Sequence, residues 1–450
     1  MDVTAKIAQF VVSAKYENLP PKAIETAKVA VRDCLGVALA GSKEEDAKIA
    51  AEIARQEQAK EETTVIGQGF ESSALNAALA NGTAAHAMDF DHSFTLMGQP
   101  TSPIIPAAFA LGEALGASGR QIIEAYAAGY EVTAKIAHSL RDSEHDGWHA
   151  PSTVGVFGAT AACAKLLGLS AAKVEMALGM SASMAGGIVA NFGTMTKPLH
   201  AGLGARNGVL AAKLAAGGYT ANGKAIESGF GFYKVLHQNT SIDEKPIEEL
   251  GQSYALLSDG IRIKPYPCGG LTHQAIDSIL EFRAKNGLTP EMVERIDVDV
   301  VKHTFERIVF KVPQTSIQGK FCMPYLVARA LIDGKVSLHA FTDAAVRDQN
   351  VLKLAERVQM NLDESLKKTD PGGRPCRVTV RLKNGEVLRR EAQNSKGSRE
   401  FPMSDAELRG KFTECAREAL SAEAADRALA MIEGLEKVEN IRSLTEILRG

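Results

Sequence analysis

The first part of the chain, up to about residue 268, repeats apolar residues at the spacing of amphipathic helices. The clearest segment is 19–41, where Pro20 and Pro21 suit a helix start and Gly41 suits the position after a helix end. Comparable segments follow at about 72–87, 103–117, 119–139, 152–168, 171–186 and 201–217. Their frequent Ala and Gly allow close helix packing. The pattern therefore predicts a large all-helical domain over residues 1–268.

The pattern changes after the Lys-Pro-Tyr-Pro sequence at 264–267, because two prolines so close together interrupt a helix. Residues 293–303 alternate between apolar and polar positions, as a half-buried strand does. Residues 378–388 alternate on both sides of Asn384-Gly385, which is a strong hairpin signal. These segments indicate a sheet in the second part of the chain.

Helical patterns at 323–332 and 342–350 lie between the predicted strands. We therefore predict a smaller α+β domain over residues 269–398, in which helices cover one face of a small sheet. Beyond it the helical pattern returns, with Ser404 and Glu407 spaced as a capping box. Residues 399–450 are predicted to form C-terminal helices.

Composition and charge narrow the class of function. Lys and Arg number 51 and Asp and Glu 54, a formal net charge of −3, and the two signs are mixed along the chain. No basic stripe suited to nucleic acid results from this mixture. The N-terminus lacks a basic segment followed by an apolar run, and no later window offers about 18 uncharged apolar residues. We expect a cytoplasmic protein without a nucleic-acid or membrane partner.

The cysteines argue against a metal centre. All six are far apart, without a C-x-x-C sequence and without histidines at zinc-finger spacing. An iron–sulfur cluster needs several thiolates at one place, and closely spaced cysteines are its usual sign in a sequence. We therefore expect neither a metal nor another cofactor.

Histidines are concentrated in one stretch of the chain. Five of the ten lie between positions 86 and 149 with acidic residues among them, namely His86, His92, His138, His145 and His149 with Asp89, Asp91, Asp142, Glu144 and Asp146. Segment 86–93 follows a helical run and precedes prolines, so we expect it on a loop just past a helix end, where active sites often lie. In the structural alternative, Asp89 or Asp91 caps the next helix and His86 is a hydrogen-bonded helix histidine.

A second candidate site surrounds Pro198, which suits the start of a helix. Lys197 and His200 stand three residues apart around it, so an ammonium and an imidazole would converge near a helix N-terminus. Backbone N–H groups and the helix dipole attract anions there, and such a place binds a carboxylate or stabilises charge developing on one. The structural alternative is a solvated lysine beside a histidine near a helix cap.

A third candidate is segment 264–273, which lies where the two predicted domains meet and contains Lys264 and His273. Domain junctions favour ligand sites because two walls of a cleft can be supplied there. His273 is therefore a candidate acid or base. In the alternative it packs in the first turn of a helix.

Cationic Lys and His together with aspartates describe a site for proton transfer on an anionic substrate. Removal of a proton next to a carboxylate creates an enolate-like dianion, so the site needs positive charge at the carboxylate and a base tuned towards neutrality. Lys197 supplies the charge in this scheme. A histidine, or an aspartate made more basic by burial, takes the proton, and no metal is required.

The motifs at these positions resemble those of the MmgE/PrpD family, whose members include 2-methylcitrate dehydratase, cis-aconitate decarboxylase and iminodisuccinate epimerase. They are Ala85-His-Ala-Met-Asp-Phe-Asp91, Gly147-Trp-His149, the 155–167 helix, Thr196-Lys-Pro-Leu-His200-Ala-Gly202, Gly229-Phe-Gly231, and Lys264-Pro-Tyr-Pro267 leading to Thr272-His273. The resemblance implies a mainly α fold in which the first half and the returning C-terminus form a large helical domain. It further implies an inserted α+β lid domain, a homodimer and a small polycarboxylate substrate.

The resemblance also implies the residues of the site. It assigns catalysis to Asp89, His149, Lys197 and His273, and substrate binding to Ser93, His200 and Tyr325. We also expect Gln99 and Lys264 to bind the substrate. Two positions depart from the family's pattern. Decarboxylase-like and many dehydratase-like members carry His-Pro-Ser where this chain has Gln99-Pro100-Thr101, and their histidine after the Pro-x of the junction is Gly269 here. Neither Gln nor Gly delivers a proton at pH 7, which weighs against cis-aconitate decarboxylation.

The leading hypothesis is a metal-independent lyase of the hydro-lyase type that eliminates water from a hydroxy polycarboxylate, as 2-methylcitrate dehydratase does. The second is an epimerase of an iminodisuccinate-like dicarboxylate, which needs a base on each face of the carbon and no acid for a leaving group. A cis-aconitate decarboxylase-like activity is a further alternative. A helical protein that binds anions without catalysis is the alternative of another class.

Overall fold

The computed structural model describes residues 2–94, 98–140, 147–236, 242–369 and 373–450. The chain divides into two compact units, one formed by Met1–Arg262 with Ser404–Gly450 and the other by Ile263–Met403. The boundaries expected from the sequence, 268 and 398, lie a few residues from these. We call them the first and the second unit.

Helices make up most of the first unit. Along its N-terminal segment they are α1 (Val3–Ser13), α2 (Pro21–Gly41), α3 (Glu45–Gln56), α4 (Ala74–Ala87), α5 (Thr101–Leu115), α6 (Gly119–Ser139), α7 (Ala150–Thr153), α8 (Gly155–Leu166), α9 (Ala171–Met184), α10 (Thr196–Ala216), α11 (Phe232–Leu236), α12 (Lys245–Glu248) and α13 (Ala255–Ser258). Each helical segment expected from the apolar spacing corresponds to one of these helices. None of the described helices is both long and apolar enough to cross a membrane.

The expectation of an all-helical first domain is wrong in one place. Strands β1 (Thr63–Val65) and β2 (Phe70–Ser72) form a small antiparallel hairpin. Glycines 67 and 69 in its turn have φ angles of 68° and 76°, a conformation that glycine adopts without strain. The buried carboxylate of Glu113 accepts hydrogen bonds from the backbone and hydroxyl of Thr64, which fixes the hairpin to α5.

Helices α4 and α10 approach unusually closely, and this contact positions the candidate site. A Cβ atom on Gly82 of α4 would lie 2.8 Å from the Cα of Gly202 on α10. Conversely, a Cβ on Gly202 would lie 2.3 Å from Oγ1 of Thr83 and 2.4 Å from the carbonyl oxygen of Leu79. Only glycine permits this backbone approach, which brings the C-terminal end of α4 next to the N-terminal end of α10.

The second unit combines a four-stranded sheet with short helices. Its helices are α14 (His273–Asn286), α15 (Lys302–Arg307), α16 (Ser316–Gly319), α17 (Met323–Asp333), α18 (Asp343–Val346) and α19 (Gln349–Ala355). Its strands are β3 (Val293–Val300), β4 (Val358–Leu362), β5 (Cys376–Leu382) and β6 (Val387–Ala392), in the order β4-β3-β5-β6. Strands β3 and β4 are parallel and the other pairs are antiparallel.

The alternating residues of β3 place one face of the sheet in the core, where α14 and α17 also pack. The hairpin expected at Asn384-Gly385 is confirmed, because β5 and β6 pair on either side of it. The helix expected over 342–350 is instead two helices, α18 and α19, since the side chain of Asp348 accepts a hydrogen bond from the backbone of Asn350 and starts the second.

Three helices follow the second unit in sequence and belong to the first, α20 (Asp405–Ala416), α21 (Ala422–Glu433) and α22 (Arg442–Leu448). The capping box at Ser404 and Glu407 is confirmed at the start of α20. Helix α20 packs against α2. The first unit is therefore built from two separate stretches of the sequence.

Candidate active site

The loop after α4, which we call the site loop, consists of residues 88–93. Its second residue, Asp89, has a φ of 51°, in the left-handed region that aspartate tolerates better than most residues. The chain turns back there, and both carboxylate oxygens of Asp91 come within 3.0–3.1 Å of Nδ1 of His86 at the end of α4. The alternative in which an aspartate of this loop caps the next helix is wrong, because α5 begins without a side-chain cap.

Lys197 joins this group from the first turn of α10. Its ammonium lies 2.7 Å from Oδ1 of Asp89 and 3.1 Å from Nε2 of His86, and the side chain is buried, so the alternative of a solvated lysine is wrong. An ammonium only donates hydrogen bonds, so Nε2 of His86 accepts and its hydrogen is on Nδ1, where it is donated to Asp91. Among the described residues, Asp89 and His86 thus accept hydrogen bonds from two of the three N–H groups of Lys197.

A pair of histidines completes the group. Nδ1 of His149 lies 3.0 Å from Nδ1 of His200, so one ring donates a hydrogen bond to the other. The ring of His149 lies 5.4 Å from that of His86 and contacts the ring of Phe192 edge-on at 4.8 Å. We call His86, Asp89, Asp91, His149, Lys197 and His200 the site cluster, and all six are buried.

Burial dominates the electrostatics of the cluster. It lowers the pKa of His149 well below the ordinary value, and the positive charges possible at His86 and Lys197 lower it further. The pKa of His200 is lowered by burial and by the same two neighbours. Burial also lowers the pKa of His86, although Asp91 opposes that effect. The three imidazoles are therefore neutral near pH 7, next to a lysine.

Ser93 is the last residue of the site loop, Gln99 lies between that loop and α5, and both are partly exposed. The backbone N–H of Ser93 donates to the carbonyl of Arg262 at 2.9 Å. The backbone N–H of Phe94 donates to the carbonyl of Gly98 at 2.7 Å, which places Gln99 at the approach to α5. Their roles in substrate binding stay predictions.

The remaining candidates belong to the second unit, where all three are buried. His273 begins α14, with Nε2 3.3 Å from the carbonyl oxygen of Cys268 and its ring edge-on to Tyr266 at 5.2 Å. The hydroxyl of Tyr325 donates to the carbonyl of Ala340 and accepts from Nε of Arg329 at 3.0 Å. The contacts of Tyr325 favour a structural role, and its substrate role, like those of His273 and Lys264, stays a prediction.

Two members of the cluster, His86 and Asp91, lie in the histidine-rich stretch of the sequence but are not among the site residues predicted from it. Their partnership depends on the left-handed turn at Asp89, for which residue spacing gives no sign. Of the other clustered histidines, His138 pairs with Asp259 at 2.9 Å, and His145 lies outside the described residues together with Asp142, Glu144 and Asp146. No group of three or more His, Cys, Asp or Glu residues that could hold a metal ion occurs in the described part of the chain.

The fold and the cluster together define a mainly α protein with a buried site made of one lysine, two aspartates and three histidines. The family model of the MmgE/PrpD N-terminal domain matches residues 5–245, and that of the MmgE/PrpD C-terminal domain matches residues 266–437. The chain therefore belongs to the MmgE/PrpD family.

Relatives with curated names are similar over essentially the whole chain. The cis-aconitate decarboxylase of Mus musculus is 28% identical over 100% of this chain and 93% of its own length. That of Homo sapiens is 28% identical over 100% of this chain and 95% of its own length. That of Aspergillus terreus is 26% identical over 99% of this chain and 96% of its own length.

Proposed function

We propose that this protein is a lyase that removes a proton next to a carboxylate of a small polycarboxylic acid. The observation that carries the proposal is the buried contact of Lys197 with Asp89 and His86 beside two neutral histidines. The cis-aconitate decarboxylases among the relatives support the lyase class and a polycarboxylate substrate. Water is the leaving group that we propose, as in a dehydratase.

Lys197 binds the substrate in this proposal. Asp89 and His86 accept two of its N–H groups and thereby orient the third towards a substrate carboxylate. The first turn of the 21-residue helix α10 adds backbone N–H groups and the positive end of its dipole. Positive charge at the carboxylate stabilises the enolate-like dianion that forms when the neighbouring carbon loses its proton.

His149 is the base that we propose. If its Nδ1–H donates to Nδ1 of His200, its Nε2 carries the lone pair that accepts the proton, and His200 fixes the orientation of the ring. Protonated His149 would be a second cation beside Lys197, which the buried site disfavours until a polyanion is bound. The electron pair of the C–H bond then forms the C=C bond while the C–O bond breaks. The departing hydroxide takes the proton that His149 removed and leaves as water, which returns His149 to its neutral form.

Two residues weigh against loss of carbon dioxide. By the family resemblance, Gln99 and Gly269 stand where decarboxylase-like and many dehydratase-like members have histidines, and neither residue can deliver a proton. The space beside Gly269 is filled, because a Cβ there would lie 2.9 Å from the ring of Phe321. An epimerase, which needs no acid for a leaving group, is the second candidate on the same observation.

The experiment is incubation of the purified protein in deuterium oxide with 2-methylcitrate, citrate, cis-aconitate and iminodisuccinate, followed by proton NMR. We expect an alkene product, unchanged by a chelator, and a loss of about 100-fold or more in rate with Lys197→Ala, because a buried group that stabilises developing charge contributes factors of that order. Lys213→Ala is the matched control, since Lys213 lies on the same helix with its side chain 45% exposed. It should retain the wild-type rate.

Other outcomes of this experiment would support a different activity. Deuterium exchange or inversion without an alkene would support the epimerase, and release of carbon dioxide from cis-aconitate would support the decarboxylase. Binding of these acids without any turnover would support an anion-binding protein without catalysis.

Three further features implied by family resemblance belong to this proposal. We propose a homodimer, which light scattering coupled to size exclusion tests directly.

We also propose that the second unit acts as a lid and that His273 and Lys264 take part in the site. Substitution of His273 by Gln should then lower kcat, whereas a purely structural histidine would affect only the stability of the second unit.

A further inference from the structure

We infer that a buried ion pair between Asp33 and Lys411 positions the site loop, an inference that rests on the proposed function. Asp33 lies on α2 and Lys411 on α20, and Nζ of Lys411 is 2.5 Å from Oδ1 of Asp33. Both side chains are buried, with relative exposures of 3% and 5%. The pair belongs to the first unit and lies outside the site cluster.

Each partner of the ion pair holds the backbone of the site loop. The ammonium of Lys411 donates to the carbonyl oxygen of Phe90 at 2.8 Å and lies 3.8 Å from the centroid of its ring. The backbone N–H of His92 donates to Oδ2 of Asp33 at 3.0 Å. Phe90 and His92 flank Asp91, so the ion pair fixes the chain on both sides of the carboxylate that faces His86.

A gain in the stability of the fold does not by itself explain why these two charged residues are buried together. Removing two charges from water is costly, and replacing a buried ion pair by apolar residues is often neutral or stabilising. The loop, however, contains a non-glycine residue with a left-handed backbone, a conformation that persists only where the surroundings determine it. Hydrogen bonds from the charged pair to Phe90, which follows Asp89, and to His92 hold the backbone of the loop in place.

The geometry connects the pair to Lys197 through two hydrogen bonds. Asp91 holds Nδ1 of His86, and Nε2 of His86 accepts from Lys197, so a displaced Asp91 would release the lysine from its orientation. Misplacing a substrate-binding group by about 1 Å lowers the rate by about 100-fold. Asp33 and Lys411 are therefore positioning residues, since neither belongs to the site cluster.

The variants Lys411→Met and Asp33→Asn test this inference, with Arg32→Met as the matched control. Arg32 is the residue before Asp33, is also buried, and forms ion pairs with Glu433 and Asp405 of the same C-terminal stretch instead of with the site loop. We expect kcat to fall by about 10- to 100-fold in Lys411→Met and Asp33→Asn. Arg32→Met should keep kcat within about 3-fold when all are assayed below their melting temperatures. Lys411→Arg, which retains the cation, should recover part of the loss.

A second measurement needs no turnover. Hydrogen–deuterium exchange of peptides covering residues 88–94 should become at least 10-fold faster in Lys411→Met, because the loop loses its contacts, and should stay unchanged in Arg32→Met. If the wild type turns over no polycarboxylate, the proposed function fails while this measurement still decides whether the pair orders the loop. Unchanged exchange, or equal losses of kcat in Lys411→Met and Arg32→Met, would overturn the inference.

Discussion

Each histidine of the site cluster has at least one ring nitrogen in contact with a partner, and these contacts restrict where the hydrogens can be. His86 must carry its hydrogen on Nδ1, because Nε2 faces an ammonium. His149 and His200 share a single hydrogen between their Nδ1 atoms. The cluster therefore places one lysine charge near neutral imidazoles, and an anionic substrate would change the proton affinity of all of them.

The pH dependence follows from the lowered pKa of His149. A base must be unprotonated. Burial, together with the positive charge of Lys197, lowers the pKa of His149 below the ordinary histidine value of 6.5. The acidic limb of kcat/KM, which reports the free enzyme, should therefore lie below pH 6.5. The acidic limb of the kcat profile should lie at higher pH than that of kcat/KM, because the carboxylates of the bound substrate raise the pKa of His149. Steady-state rates between pH 4 and 9 measure both limbs.

Two results would contradict this assignment. An acidic limb of kcat/KM above pH 6.5 would require a base with an unlowered pKa, and His149→Gln with undiminished kcat would exclude His149 altogether. His303→Gln is a suitable control, because that histidine contacts Arg307 on the short helix α15 of the second unit.

At the scale of elements, the contact between α4 and α10 determines how the two halves of the cluster meet. His86 stands at the end of α4 and Lys197 at the start of α10, and Gly82 and Gly202 allow the two backbones to touch. The helices supply rigid supports on both sides of the lysine–imidazole contact. The distance between α4 and α10 therefore affects the geometry of the site cluster as well as the packing of the two helices.

Gly202→Ala should destabilise the protein and reduce activity. Its Cβ would overlap Oγ1 of Thr83 and the backbone of Leu79, so the helices must move apart at a cost of about 1–3 kcal/mol in the free energy of unfolding. Gly410→Ala on α20 is the matched control, since its Cβ would meet nothing within 4 Å. That variant should gain up to about 1 kcal/mol because alanine favours helix. Urea unfolding with parallel kcat measurements compares them, and equal stabilities would refute the packing argument.

Elements with a long repeating pattern could be predicted from the sequence, and elements without one could not. Apolar spacing found α2, α6 and α10, and alternation found β3 and the β5–β6 hairpin. Strands β1 and β2 have three residues each, too few for alternation to be recognised. The five residues of β4 were missed for a similar reason, because their identity as a strand depends on pairing with β3.

The same distinction holds for the site. Lys197 could be recognised beside Pro198 and Asp89 among clustered histidines and acids, whereas His149 was assigned to the site by the family resemblance. The contact of His86 with both Asp91 and Lys197 could not be foreseen, since it requires a left-handed turn and the approach of a distant helix. Lys411 lies in an ordinary helix far along the chain from Asp33, and no local pattern relates the two.

At the scale of the whole molecule, the first unit is discontinuous and the second is not. The second unit, Ile263–Met403, has a hydrophobic core of its own with the sheet on one side and α14 and α17 on the other. The first unit depends on its C-terminal helices, because the ring of Phe412 packs against Gly36 of α2 and the buried Asp33 needs Lys411.

Fragments of the chain should therefore behave differently. We expect 263–403 alone to melt cooperatively, since it retains its whole core. We expect 1–262 alone to lack a cooperative melt, because its α2 would expose an apolar face and leave Asp33 without its cation. Circular dichroism melts of both fragments test this, and adding a 404–450 peptide to 1–262 should restore cooperativity. A cooperative melt of 1–262 by itself would disprove the dependence.

The discontinuity of the first unit has a consequence for biosynthesis. Domains usually fold in the order in which they leave the ribosome, but here the N-terminal unit stays incomplete until the last helices emerge. At about 5–20 residues per second, the nascent chain waits on the order of 10 s or more, with the second unit free to fold first. Lys411 reaches Asp33 only after the whole second unit has been synthesised, so a chain terminated before α20 would carry every residue of the site cluster and still be unable to order it.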